Sequence, residues 1–249
     1  MIMKKKIWLL VSLGILGVAC QEDEPANAIS GEEAAVLISS SLASNTSGVN
    51  AVSAKSADVT DDLLTEHEGG RVAVCGISQN IDLSGQSPDN ANLSYDYDFS
   101  YKFKLNCNEE EFPSDVSVNV SYSSAFETPK LGAEHSGVAE LVVTGLEASE
   151  TEYMLDGLYK RSGSFTNKEV EKTGSCSVEI TISDVVVDKT THKIVSGVGT
   201  YILQGTIPDK GAFNYQGSVT FNGADQAAIK ISNTVYTANL ISGEVAKNN

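Results

Sequence analysis

One stretch of strict alternation constrains this chain more than any other feature. From Leu93 to Cys107, the residues Leu93, Tyr95, Tyr97, Phe99, Tyr101, Phe103, Leu105 and Cys107 fall on one face. Ser94, Asp96, Asp98, Ser100, Lys102, Lys104 and Asn106 fall on the other. Only an extended chain sends successive side chains to opposite sides, so fifteen such residues predict a strand. At ~3.3 Å per residue the segment would reach about 50 Å unbroken, longer than strands usually run, so coiling or a bulge is expected.

The same period continues downstream. Val116, Val118, Val120, Tyr122 and Phe126 share a face with Ser124 in phase, and Asn108 to Ser114 makes an acidic connection between the two strands. The pair reads as a long antiparallel hairpin. Further strands are expected near 136–146, 150–161, 176–187, 194–207, 212–221, 226–231 and 234–241. Cys176, Val178, Ile180 and Ile182 lie in phase, as do Tyr201, Leu203 and Ile207. Pro208-Asp209-Lys210-Gly211 and Asn222-Gly223 supply turn chemistry. Short links with no intervening helix mean an antiparallel β-meander, hence an all-β fold. Rolling into a barrel or folding into a two-sheet sandwich protects the edges, and the pattern leaves both open.

The residues before the sheet read differently. Ser30-Gly31-Glu32-Glu33 fits a capping box, and Ala34, Leu37, Ile38 and Leu42 follow at helical spacing, which predicts a short helix over 31–43. Asn45 to Ala57 is rich in Ser, Ala, Asn and Gly and reads as a loop or disorder. Asp58 to Glu66 adds a helical turn around Leu63 and Leu64. The expected layout is a leader over 1–19, an acidic tether over 20–30, a helix with a flexible segment over 31–70, and a β domain over 71–249.

The leader has three parts. Lys4, Lys5 and Lys6 are positive, Ile7 to Val18 is an apolar run of twelve residues, and small residues precede Cys20. The run is too short to cross a bilayer, which takes roughly 20 residues. Leu16-Gly17-Val18-Ala19-Cys20 resembles the lipobox of bacterial lipoproteins, with Gly17 where the lipobox has leucine. The resemblance implies lipidation of Cys20, cleavage before it, and partnership with a membrane through that lipid. Each buried methylene of such a chain contributes about 0.8 kcal/mol to anchoring. An ordinary signal peptide is the plainer alternative. Gln21-Glu22-Asp23-Glu24 resembles the surface-export tether of Bacteroidota lipoproteins, and it equally fits a solvated spacer.

Charge excludes one class of partner. The leader holds three of the 17 basic residues and none of the 33 acidic ones, so the chain from Cys20 onward carries a formal −19. Such a chain repels nucleic acid, and no basic stripe interrupts it.

His67, His135 and His192 show no zincin spacing, and hydrogen-bonded or solvated loop histidines are the expected reading. No Gly-x-Ser-x-Gly elbow or phosphate-binding glycine loop occurs. Asp96 and Asp98 share a polar face with Lys102 and Lys104, and Glu109, Glu110, Glu111 and Asp115 mark a hairpin tip. Either set could collect calcium, but both read better as solvated charge. The tyrosine-rich face between Tyr95 and Phe103 reads as core in preference to a stacking platform. No catalytic, metal or cofactor-binding residue is assigned.

From Arg71 onward the chain resembles uncharacterised Bacteroidota lipoproteins. The similarity lies in Val74-Cys75-Gly76, Leu105-Asn106-Cys107-Asn108, Val143-Thr144-Gly145-Leu146 and Gly217 to Gly223. It implies a shared β fold, no known activity, and pairing of Cys75 with Cys107, which would add roughly 3 kcal/mol by closing the loop between them. Cys176, in phase with Val178, then remains as a buried free thiol. The expectation is an envelope lipoprotein on the outer membrane, surface-exposed or periplasmic, serving as a non-enzymatic binding, adhesion or structural module. The alternatives are a β-barrel carrier of a small apolar ligand and, last, a secreted hydrolase.

Overall fold

The computed structural model describes residues 27–68, 75–88 and 93–248. The leader, Cys20 and the acidic residues after it lie outside the described residues, as does Arg71.

Eleven strands form one sheet in strict chain order: β1 (Ser78–Gln86), β2 (Ser94–Cys107), β3 (Pro113–Glu127), β4 (Leu131–Thr144), β5 (Glu152–Asn167), β6 (Lys172–Asp188), β7 (Ile194–Ile207), β8 (Gly211–Gly223), β9 (Gln226–Ile231), β10 (Thr234–Asn239) and β11 (Val245–Lys247). Every neighbouring pair is antiparallel, so the fold is an all-β meander. The sheet rolls without closing: β1 and β11 are not bonded to each other. The long alternating segment is β2, and its register slips between Asn106 and Cys107 at the end nearest the hairpin tip.

Alternation sets the two faces. Phe99, Tyr101, Phe103 and Leu105 are buried, while Tyr95 and Tyr97, near the start of the strand, are half-buried. Rings contact one another along this row from Tyr95 to Phe103, stacked except for the edge-on pair Tyr97 and Phe99. Glycines sit opposite large rings elsewhere in the interior. Tyr122 faces Gly137, Phe213 faces Gly205 and Tyr201 faces Gly217 in direct register. A Cβ on Gly217 would meet the Lys230 carbonyl oxygen at 2.1 Å and the Tyr201 hydroxyl at 2.6 Å. The ring lies where the missing side chain would stand, a known way of covering a strand glycine where a sheet curves.

The interior of the roll is filled from the N-terminal side. Helix α1 (Gly31–Leu42) leads through a 3-10 turn (Ser44–Thr46) to α2 (Val49–Glu68). The capping box is in place: Glu33 N–H donates to Ser30 Oγ at 3.2 Å and Ser30 N–H to Glu33 Oε2 at 2.8 Å. Helix α1 packs on β9, β10 and β11, and α2 on β4, β5, β6 and β7. Their apolar residues belong to the same core as the sheet.

Here the structure corrects the sequence reading. The loop or disorder expected over Asn45 to Ala57 is a 3-10 turn at 44–46 and then helix from residue 49, and in place of a flexible segment residues 49–68 form one helix of 20 residues. Val49, Val52, Val59 and Leu63 are buried at helical spacing, and each such side chain contributes about 1.5–3 kcal/mol. Two of the hydroxyls on α2 bond back to their own helix. Ser56 Oγ donates to the Val52 carbonyl at 2.8 Å and Thr60 Oγ1 to that of Ser56 at 2.7 Å. Small, self-bonded side chains let the helix enter a narrow interior. No described helix is long and apolar enough to cross a membrane.

Candidate functional site

Two polar clusters stand out, one inside the roll and one at its rim. The inner one begins with Arg161 on β5, which is 5% exposed. Its Nη1 donates to the Ser40 carbonyl at 3.0 Å and that of Thr46 at 3.4 Å, and its Nη2 to Ser40 Oγ at 2.5 Å. These acceptors lie at and just beyond the C-terminal end of α1, where carbonyls lack helical partners and the dipole is negative. Among the described residues no carboxylate pairs with Arg161. The helix end therefore acts as its counter-charge.

Two chains of hydroxyls extend the cluster. Tyr122 on β3 donates to Tyr159 on β5, and Tyr159 donates to the Ser47 carbonyl at 2.9 Å. Ser47 Oγ donates to Ser124 Oγ at 2.9 Å. Burial pushes both tyrosine hydroxyls above their ordinary range, so they stay neutral. His135 on β4 completes the group. It is buried between the edges of the Tyr122 and Phe126 rings, and neither ring nitrogen has a hydrogen-bond partner. Burial, with help from Arg161, holds its pKa down at about 2. His135 is thus a neutral interior residue and not the loop histidine that the sequence suggested. Its surroundings come from neighbouring strands, which local sequence cannot reveal.

The rim cluster joins α2 to the turn between β6 and β7. Asp61 accepts from the Tyr153 hydroxyl and lies 2.6 Å from His192 Nε2. Lys189 Nζ sits 4.6 Å over the Tyr153 ring and donates to the Glu147 carbonyl at 2.9 Å. Burial and Asp61 together push the Tyr153 hydroxyl well above its ordinary range. His192 holds φ 53°, a left-handed conformation that costs a non-glycine residue about 1–2 kcal/mol. Its ring is hydrogen-bonded as expected for a turn histidine, but the partner is 131 residues away, beyond any spacing rule. Chemically the arrangement is one carboxylate holding two donors. No described hydroxyl or thiol bonds to His192, so the cluster reads as a latch between helix and turn.

The remaining sequence candidates are separate from both clusters. Cys75 and Cys107 form a disulfide, with Cα atoms 5.6 Å apart, beside the β2–β3 tip. Cys176 is a free thiol, half-buried, and burial raises its pKa. Asp96 and Asp98 lie on the solvent face, opposite Gln86 and Ser84. Asp115 accepts from Asn106 Nδ2 at 2.7 Å and from Ser114 Oγ at 2.8 Å, while Glu109, Glu110 and Glu111 are exposed. Among the described residues no group of three or more His, Cys, Asp or Glu could hold a metal ion. The side chain of His67 lies outside the described residues.

Two open grooves cross the sheet. One, about 540 Å³, runs over β1–β3 between Asp82, Ser84, Asp98 and Ser123. The other, about 710 Å³, runs over β5–β8 between Ser162, Ser177, Gln204 and Asn214. Their rims are residues that alternate onto the solvent face. No family model, curated protein or solved structure matches the chain.

Proposed function

We propose that this chain is an exported lipoprotein, held to the outer membrane by lipid on Cys20, whose β body is a non-enzymatic binding, adhesion or structural module. The leader carries the reading: Lys4 to Lys6, a twelve-residue apolar run, and Cys20 directly after Val18-Ala19. The body supports it in a second way. The inner volume is taken up by α1 and α2, so contact with a partner falls to the outer face and the turns. That arrangement does not favour the carrier alternative, which needs interior room for its ligand.

The test is incorporation of a labelled fatty acid by bacteria expressing the full chain. Wild type should take up label and sediment with membranes. Cys20→Ser should take up none and appear in the soluble fraction. An unlabelled wild type, or membrane retention of Cys20→Ser, would overturn the anchoring. Protease added to intact cells then separates a surface role, in which the protein is digested, from a periplasmic one.

A further inference from the structure

The two ends of the roll differ, and the chain's entry point selects between them. Asn27 and Ala28 are fixed at one end. Asn214 N–H donates to Asn27 Oδ1 at 2.9 Å, and Ala28 N–H donates to the Ala212 carbonyl at 3.1 Å. Lys172 Nζ donates to the Ala28 carbonyl at 3.4 Å and pairs with Glu33 at 2.8 Å. These partners stand at the starts of β6 and β8, beside the turns 168–171 and 208–210. Turn 128–130 lies at the same end, since Lys168 N–H donates to the Lys130 carbonyl at 2.8 Å.

Cys20 is only seven residues before Asn27. Even fully extended, at no more than ~3.6 Å per residue, that connection reaches about 25 Å. The opposite end is much farther away, because β5 alone has 16 residues and spans up to about 50 Å.

Charge agrees with reach. Turns 128–130, 168–171 and 208–210 hold Lys130, Lys168 and Lys210 against Glu169, Glu171 and Asp209, and are neutral together. At the opposite end, turns 108–112, 145–151, 189–193, 224–225 and 240–244 hold seven carboxylates against Lys189 and Lys193. Asp58, Asp61 and Asp62 of α2 add to that end, where Asp61 meets His192. An anionic lipid surface repels the more acidic end more strongly once it approaches within roughly a Debye length, about 8–10 Å; at the near end the three turns add no net charge, and Glu22, Asp23 and Glu24 before Asn27 add acid. Val170, at the tip of turn 168–171, is 47% exposed between Glu169 and Glu171, and Glu169 is paired with Lys130 at 3.1 Å.

We propose that the end bearing turns 128–130, 168–171 and 208–210 is the membrane-facing surface, with Val170 at the lipid headgroups, and that the more acidic end is presented outward. This rests on the anchoring reading above.

Photo-crosslinking in membranes tests it, using the full chain with p-benzoylphenylalanine in place of Val170, Phe112 or Ile241 in turn. All three positions are exposed, so the folded body tolerates the change; Phe112 and Ile241 lie in the acidic end. After illumination, mass spectrometry should find a phospholipid adduct at position 170 and none at 112 or 241. Adducts at 112 or 241, or none at 170 in chains shown to carry acylated Cys20, would overturn the orientation while leaving the anchor intact. No acyl group on Cys20 and no adduct anywhere would overturn the anchoring reading, and the orientation with it.

Discussion

The sheet and the helical pair it encloses solve the same burial problem in opposite ways. In the sheet, burial follows hydrophobicity: β3 alternates Val116, Val118, Val120 and Tyr122 inward against exposed Asn119 and Ser121. In the helices, burial extends far around each element and takes in Ser40, Ser41, Ser56 and Thr60, each below 4% exposure and each donating to a carbonyl of its own helix. The difference teaches that a polar composition does not require solvent. A hydroxyl that bonds its own helix carbonyl costs little to bury, and its small volume suits a crowded interior.

The sharpest way to break this comparison is Ala57→Asp. Ala57 is fully buried on α2, and a carboxylate there has no partner. Denaturant unfolding should show a loss of about 4 kcal/mol or more, whereas in a flexible linker the change would stay within about 0.5 kcal/mol. Hydrogen exchange across 49–68 should be protected in the wild type for the same reason.

Arg161→Ala comes next, because it cuts the tie between the sheet and the end of α1. The lost charge-assisted hydrogen bonds to Ser40 and Thr46 and the lost packing should cost about 3 kcal/mol, although the Ser40 carbonyl keeps the Thr46 hydroxyl as a donor. Arg161→Lys should recover only part, since an ammonium lacks the fork that reaches both acceptors.

His135→Leu sharpens the comparison through pH. Folded His135 resists protonation down to about pH 2, while the unfolded residue binds a proton below about 6.5. The unfolded state gains protons as pH falls through that window, so the wild type should lose about 1.4 kcal/mol per pH unit from this group alone. The leucine variant should be more stable by about 1 kcal/mol at pH 7, with two unpartnered nitrogens removed, and its acid slope should flatten. An unchanged slope between pH 6 and 4, within the range of the cited pKa values, would contradict the burial account of His135.

The smallest effect belongs to the rim. Asp61→Asn should cost about 1 kcal/mol, because the site is partly solvated. Exchange should quicken in the second half of α2 and leave α1 alone. The Tyr153 hydroxyl should titrate lower than in the wild type, since Asp61 is one cause of its upward shift.

Much of the sheet could be read from residues alone. Period two over Leu93–Cys107, turn chemistry at Pro208–Gly211, and short connections together require an antiparallel meander, and the capping box marks the start of α1 in the same way. What could not be read depends on tertiary context. Residues 45–57 have the composition of a linker, and only the space inside the roll makes a helix there worth more than solvent. His135 and Arg161 lie on different strands, and Asp61 meets His192 across 131 residues. The counter-charge of Arg161 is a helix end, which carries no residue signature at all.

Everything said of function starts from the leader and Cys20, and the mass of the mature protein from its native membrane tests that most directly. The account predicts a chain that begins at Cys20 and exceeds its polypeptide mass by thioether-linked diacylglycerol, with the added mass confined to the N-terminal peptide. A chain that keeps its leader, or one whose Cys20 is present and unmodified, would contradict it.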